Sequence, residues 1–143
     1  MVRYELGKWN LDELVKNPTR LTIDKKLTAI EKKTKKFVRI KKSLNPKVSS
    51  GKFLKLLHDI ENITEKSSVI GGYASLRYSE DTQSDEATAL LTRISKFGSD
   101  IENRLLFFDL WWKKQVDEKN ASRLIKSAGQ FSEYLRFKRL LAK

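Results

Sequence analysis

Cysteine is absent from the 143 residues, so neither a disulfide nor a thiolate metal site can form. Proline occurs twice and glycine six times, which argues against a loop-rich or strand-and-turn chain. No apolar run approaches the ~20 residues of a membrane-spanning helix, and no membrane partner is expected. Histidine occurs once, at His58. A helical zinc-peptidase site needs two histidines four residues apart, a glutamate beside the first and a further ligand downstream. One histidine with Asp59 and Glu61 nearby does not meet that need, and a satisfied or solvated helical histidine is the expectation. The glycine motifs of phosphate loops, dinucleotide folds and nucleophile elbows are missing too. No catalytic residue, cofactor site or metal ligand is therefore assigned within this chain. The first residues lack a basic-then-apolar leader pattern. Together with the lack of cysteine, this sets a cytoplasmic location as the expectation.

What is present is helical in pattern. Hydrophobic residues make up 39% of the chain and charged residues 34%. With so little Gly and Pro, that balance predicts an all-α fold with a heavily solvated surface. The formal net charge is +12, unevenly placed. Residues 1–58 hold 16 Lys/Arg against 5 Asp/Glu, residues 59–110 hold 5 against 10, and residues 111–143 hold 9 against 3. Basic ends thus flank an acidic middle, which allows attraction within the chain or between lobes.

A short first helix is predicted after Asn10, with Glu13 at the capping-box position and Trp9 and Leu14 as a hydrophobic staple. Asn17-Pro18 ends it and starts a second helix over 18–43. There Ile23, Leu27, Ile30, Phe37 and Leu44 follow a heptad-like seam, with Thr34 and Lys41 in its gaps. Asn45-Pro46 breaks that helix. A third helix is predicted over 50–66 from the stripe Phe53, Leu56, Leu57, Ile60, Ile63. A fourth carries Val69 to Tyr78. Gly71-Gly72 near its start costs helix propensity on the order of 1 kcal/mol per glycine, and suits the close approach of another backbone. Thr82 with Asp85 fits a helix start. It opens a long central helix over about 84–116 that keeps one apolar stripe for about eight turns, spanning roughly 50 Å. That length predicts an elongated molecule, with the other helices lying along one spine. A turn at 117–120 leads to a short helix that Gly129 ends, and a last helix carries Tyr134, Leu135 and Leu140.

Toward its end the long helix is apolar on every side, from Leu105 to Trp112. This section is therefore expected to pack against more than one neighbour, or against a part of the protein outside this chain, with Phe107, Phe108, Trp111 and Trp112 as the candidate surface toward another lobe or partner. The acidic corner Glu80-Asp81 and Asp85-Glu86 lacks the ligand spacing of a calcium loop and reads as helix capping. Lys32, Lys33, Lys35, Lys36, Arg39, Lys41 and Lys42 offer the best rival signal, a helix that tracks phosphates. No aromatic platform is interleaved with them, so a solvated face is the commoner explanation, and a stand-alone basic helical module binding nucleic acid or an acidic protein partner is the alternative.

The tract Val69 to Leu110 joins a short aromatic helix to a long one through an acidic, Thr/Ser-rich corner. With Trp9-Asn10-Leu11-Asp12-Glu13-Leu14, Tyr73-Ala74-Ser75-Leu76, Asp81-Thr82, Arg93, Leu105 to Phe108 and Tyr134-Leu135-Arg136, this order of features resembles the N-terminal helical lobe of oligoendopeptidase F. That family comprises zinc metallopeptidases of the thimet-oligopeptidase-like group. The resemblance implies an all-helical enclosure around an internal channel that admits short, unfolded peptides. It also implies a later catalytic lobe of the same polypeptide, with zinc on a His-Glu-x-x-His helix, and no ligand or base in this chain. The sequence stops at Ala142-Lys143 without Gly, Pro or a polar tail. The expectation is thus a single helical domain over 1–143 that is the N-terminal fragment of a larger peptidase and is non-catalytic alone.

Overall fold

The computed structural model describes residues 11, 14–16 and 18–141. Among them are five α-helices and no strand: α1 Arg20–Val38, α2 Ser50–Glu80, α3 Asp85–Lys114, α4 Glu118–Lys126 and α5 Ser132–Leu140. Short 3₁₀ turns at Arg39–Lys42 and Gly129–Phe131 extend α1 and lead into α5. The all-α architecture expected from composition is present. The cap foreseen at Asn10 and Glu13, and the staple residue Trp9, lie outside the described residues.

Local chemistry sets the helix starts. α1 opens with a reciprocal capping box: Thr19 Oγ1 accepts from the Thr22 backbone N–H, and Thr22 Oγ1 accepts from that of Thr19. Pro18 therefore precedes the cap rather than occupying the first helical position. α3 starts from Ser84, whose Oγ accepts from the Ala87 N–H at 3.1 Å, not from Thr82. Asp85 and Glu86 follow in its first turn, where the helix dipole favours carboxylates. Asp117 caps α4 by accepting from the Asn120 N–H at 3.0 Å.

The clearest departure from the sequence pattern is α2. Two helices were expected on either side of residues 67–68, and one 31-residue helix runs through them and through Gly71-Gly72. The stripe that begins at Phe53 continues without a phase change through Ile63, Ile70, Tyr73 and Ala74, all buried. Burying these side chains outweighs two glycine penalties of about 1 kcal/mol each. There are consequently two long helices, not one spine.

α2 and α3 run antiparallel, joined by the short corner at 81–84. Phe53 at the start of α2 stacks on Trp112 near the end of α3, with ring centroids 5.3 Å apart. α1 lies across one side of this pair and runs parallel to α3. Its order of contacts shows this: Asp24 meets Arg93, Glu31 meets Arg104 at 2.7 Å, and Phe37 meets Phe107 and Phe108. The seam Ile23, Leu27, Ile30, Thr34, Phe37 is buried. Thr34 is tolerated there because its hydroxyl donates to the Ile30 carbonyl at 2.9 Å.

α4 and α5 close one end. Arg123 on α4 donates to the carbonyls of Pro46 and Val48, pinning the loop that joins α1 to α2. Arg139 on α5 donates to the carbonyls of Trp112 and Val116 at 2.8 and 2.9 Å. A cation there complements the negative end of the α3 dipole. Gly129, at φ +55°, supplies the left-handed residue that turns the chain from α4 into α5.

Phe53 is 1% exposed and touches Phe108, Trp111 and Trp112. Replacing it with alanine should lower unfolding free energy by about 3–5 kcal/mol in urea titration. A loss below about 1 kcal/mol would contradict the central place given to this ring.

Candidate functional site: an acid-rimmed trough along α2 and α3

The aromatic section singled out as a docking surface is mostly core. Phe108, Trp111 and Trp112 are buried within this chain, and Phe107 is half-buried. The physical reason is that this part of α3 has neighbours on several sides at once: α1 through Phe37, α2 through Phe53, and α5 through Leu135. The Trp112 indole N–H donates to the Leu135 carbonyl at 3.1 Å. Phe107 lies against Phe37, with the Lys41 ammonium 5.9 Å from its ring centroid. Exposed large apolar residues are instead Leu106 and Leu110 within this section, Tyr134, Phe137, Leu140 and Leu141 near the end of the chain, and Leu21 and Val69 elsewhere.

One side of the α2–α3 pair is covered by α1. Beyond α5, the opposite side is left open by the described residues. A cavity of about 600 Å³ lies there between α2, α3 and α5, floored by Leu57, Ile60, Leu105, Phe108, Phe131 and Leu135. That volume is within the range of about 300–1,000 Å³ typical of ligand sites. Its rim carries Glu61, Glu65, Glu102, Asp109 and Lys138. A second cavity of about 280 Å³ adjoins it and shares Thr64, Ser68, Glu102 and Leu105. The second is lined by small residues, among them Ser67, Gly71, Ser75, Ser95 and Gly98. Together they form one trough from Leu57 to Ser75 on α2, about 27 Å long at helical rise.

The rim charges differ in how they are matched. Asp109 accepts from Lys113 at 2.7 Å and from Lys138 at 2.9 Å. Burial works to raise the Asp109 pKa, but the two ammonium groups outweigh it and hold the carboxyl below its ordinary value. Glu61 faces His58 Nδ1 at 3.4 Å. Glu65 and Glu102 form no ion pair among the described residues. Ser67 Oγ, buried in the wall of the second cavity, has no hydrogen-bond partner among the described residues.

The other sequence candidates resolve into simpler geometry. His58 is half-exposed beside Glu61, with its ring edge-on to Phe131 at 5.1 Å. Among the described residues no three His, Cys, Asp or Glu side chains are grouped to hold a metal ion. The acidic corner is a set of caps: Glu80 pairs with Arg77, and Asp81 Oδ1 accepts from the Gln83 N–H at 3.0 Å. Lys32, Lys33, Lys35 and Lys36 line the solvent side of α1. Lys33 approaches Lys66 of α2, whose ammonium lowers the Lys33 pKa from the ordinary lysine value. No helix among the described residues is long and apolar enough to cross a membrane.

The trough was only partly legible beforehand. Gly71-Gly72 and the exposed acids of 59–110 were visible as separate features. Their shared face appears only once α2 is one uninterrupted helix.

The Asp109 pairing makes stability depend on pH with a definite sign. Its folded pKa is the depressed one, so the contribution is fully present above the unfolded value of about 3.9 and is lost as pH falls through the folded value. Asp109→Asn should lower the urea midpoint at pH 7, and the gap to the parent chain should narrow as pH is brought toward about 3. A gap that does not change with pH would contradict the pairing.

No protein-family model, no curated protein and no solved structure matches this chain.

Proposed function

We propose that this chain is the substrate-enclosing, non-catalytic lobe of a zinc-dependent oligopeptidase similar to oligoendopeptidase F. The observation that supports it most is the face of the α2–α3 pair left open by the described residues, a concave wall next to residues that carry the resemblance. Those residues act as packing positions: Tyr73 and Ala74 are buried on α2, Arg93 ties α3 to α1, and Leu135 supports Trp112. In this reading the wall borders a channel that admits short, unfolded peptides. A later lobe of the same polypeptide supplies the zinc, which would activate a water for peptide hydrolysis. No step of that chemistry falls to a residue described here.

The test uses the natural, untagged gene product. Its intact mass should be well above that of 143 residues. It should cleave a quenched fluorogenic peptide, lose that activity to a chelator, and regain it with zinc. A product of this size with no zinc-dependent cleavage would overturn the reading.

A second reading follows from the Lys33–Lys66 approach, which places two cations from different helices side by side. A basic module that binds nucleic acid would use such a seam for phosphates. Anisotropy titration with labelled DNA and RNA should then show binding that weakens steeply with salt, and Lys33→Glu with Lys66→Glu should reduce that slope. Salt-insensitive binding, or none, removes this alternative.

A further inference from the structure

We propose that the trough along α2 and α3 is a docking site for a basic amphipathic helix from outside residues 1–143, with its apolar stripe on the trough floor and Lys or Arg on its flanks. The inference does not rest on the peptidase reading; it holds for any source of such a helix.

The shape argument comes from the covered side of the same pair. There α1 lays one stripe of apolar residues onto α2 and α3, and its flank is fastened by Asp24–Arg93 and Glu31–Arg104. The open side repeats the arrangement with the third helix missing. Leu57, Ile60, Leu105 and exposed Leu106 supply an apolar floor. Farther along, Gly71, Ser75, Ser95 and Gly98 leave room for another backbone to approach. A Cβ added at Gly71 or Gly98 would meet no described atom within 4 Å, so no described residue fills the space beside either. The trough length of about 27 Å corresponds to about 18 helical residues.

The charge argument selects the partner. On the covered side each flank carboxylate has an arginine. On the open side Glu65 and Glu102 have no cationic partner among the described residues, and Glu61 has only His58. In a chain of net charge +12, a row of unmatched acids beside an apolar floor favours a cationic occupant and disfavours an anionic one.

The test is fluorescence anisotropy on the 143-residue chain. One labelled probe is a synthetic helix of about 18 residues, with leucines at i, i+3, i+4 and i+7 and lysines elsewhere. The other has glutamate in place of each lysine. The proposal expects saturable binding of the lysine peptide only. Glu65→Lys with Glu102→Lys should weaken it at least about tenfold, as should Gly98→Leu, which fills the trough. Gly98→Leu should not lower the melting temperature, since the new side chain enters open space and leucine is the better helix former. A lowered melting temperature would show that the space is not open and would overturn the docking geometry. Equal binding of both peptides, binding indifferent to the variants, or no binding would also overturn it. So would a concentration-dependent dimer of the chain alone that Gly98→Leu abolishes, because the occupant would then be a second copy.

Discussion

The antiparallel contact between α2 and α3 is the constraint on which everything else in this molecule depends. At 31 and 30 residues, these helices are each far longer than the layer of chain available to cover them. Three shorter helices remain among the described residues. α1 takes one side, and α4 and α5 take one end. The rest of the second side has no cover within the described residues. The trough is thus a consequence of helix length and number, not a local irregularity.

The aromatic cluster holds this arrangement in register. Phe37, Phe53, Phe108, Trp111 and Trp112 come from three helices and meet where α5 also arrives. Ring pairs of this kind add about 0.5–1.5 kcal/mol each beyond the area they bury. Charge acts around that core rather than in it. Exposed pairs such as Arg136–Glu133 contribute little. The half-buried groups Arg104, Glu31, Asp109 and Lys138 set where helices lie relative to one another. Arg104, bonded to Glu31, holds that carboxyl below its ordinary pKa, and Glu31 in turn raises Arg104. Seven of the 30 Lys and Arg side chains, Arg20, Lys25, Lys26, Lys32, Lys33, Lys35 and Lys36, lie on α1, which covers the other side of the pair from the acid-rimmed trough.

Sequence periodicity revealed the helices where the stripe kept its phase and failed where a local signal seemed to interrupt it. Ile23, Leu27, Ile30, Thr34 and Phe37 were readable as one buried face, and they are one. The stripe from Ala87 to Trp112 was readable for the same reason. Gly71-Gly72 suggested weakness, but a helix packed along its whole length does not depend on propensity at two positions. Thr82 and Ser84 both satisfy a capping rule from sequence alone, and only Ser84 has its hydroxyl placed to accept from the third residue on. The Leu105–Trp112 section was correctly read as needing several neighbours. Its neighbours being α1, α2 and α5 was not legible, because Phe37, Phe53 and Leu135 contact it from 23 to 71 positions away in sequence. The trough was hidden for a related reason. Its acids lie on two helices, and exposed acids on any one helix look like ordinary solvated surface.

The central claim is that the open side of the α2–α3 pair is a surface built to be covered. Because the chain lacks cysteine, Ser68→Cys places a single reactive thiol on the wall shared by both cavities. Its alkylation rate, read by peptide mass at residue 68, can be compared between the isolated 143-residue chain and the natural gene product with its bound partners. Rapid labelling of the isolated chain and strong protection in the natural product is the predicted result. Equal rates in the two would contradict the account.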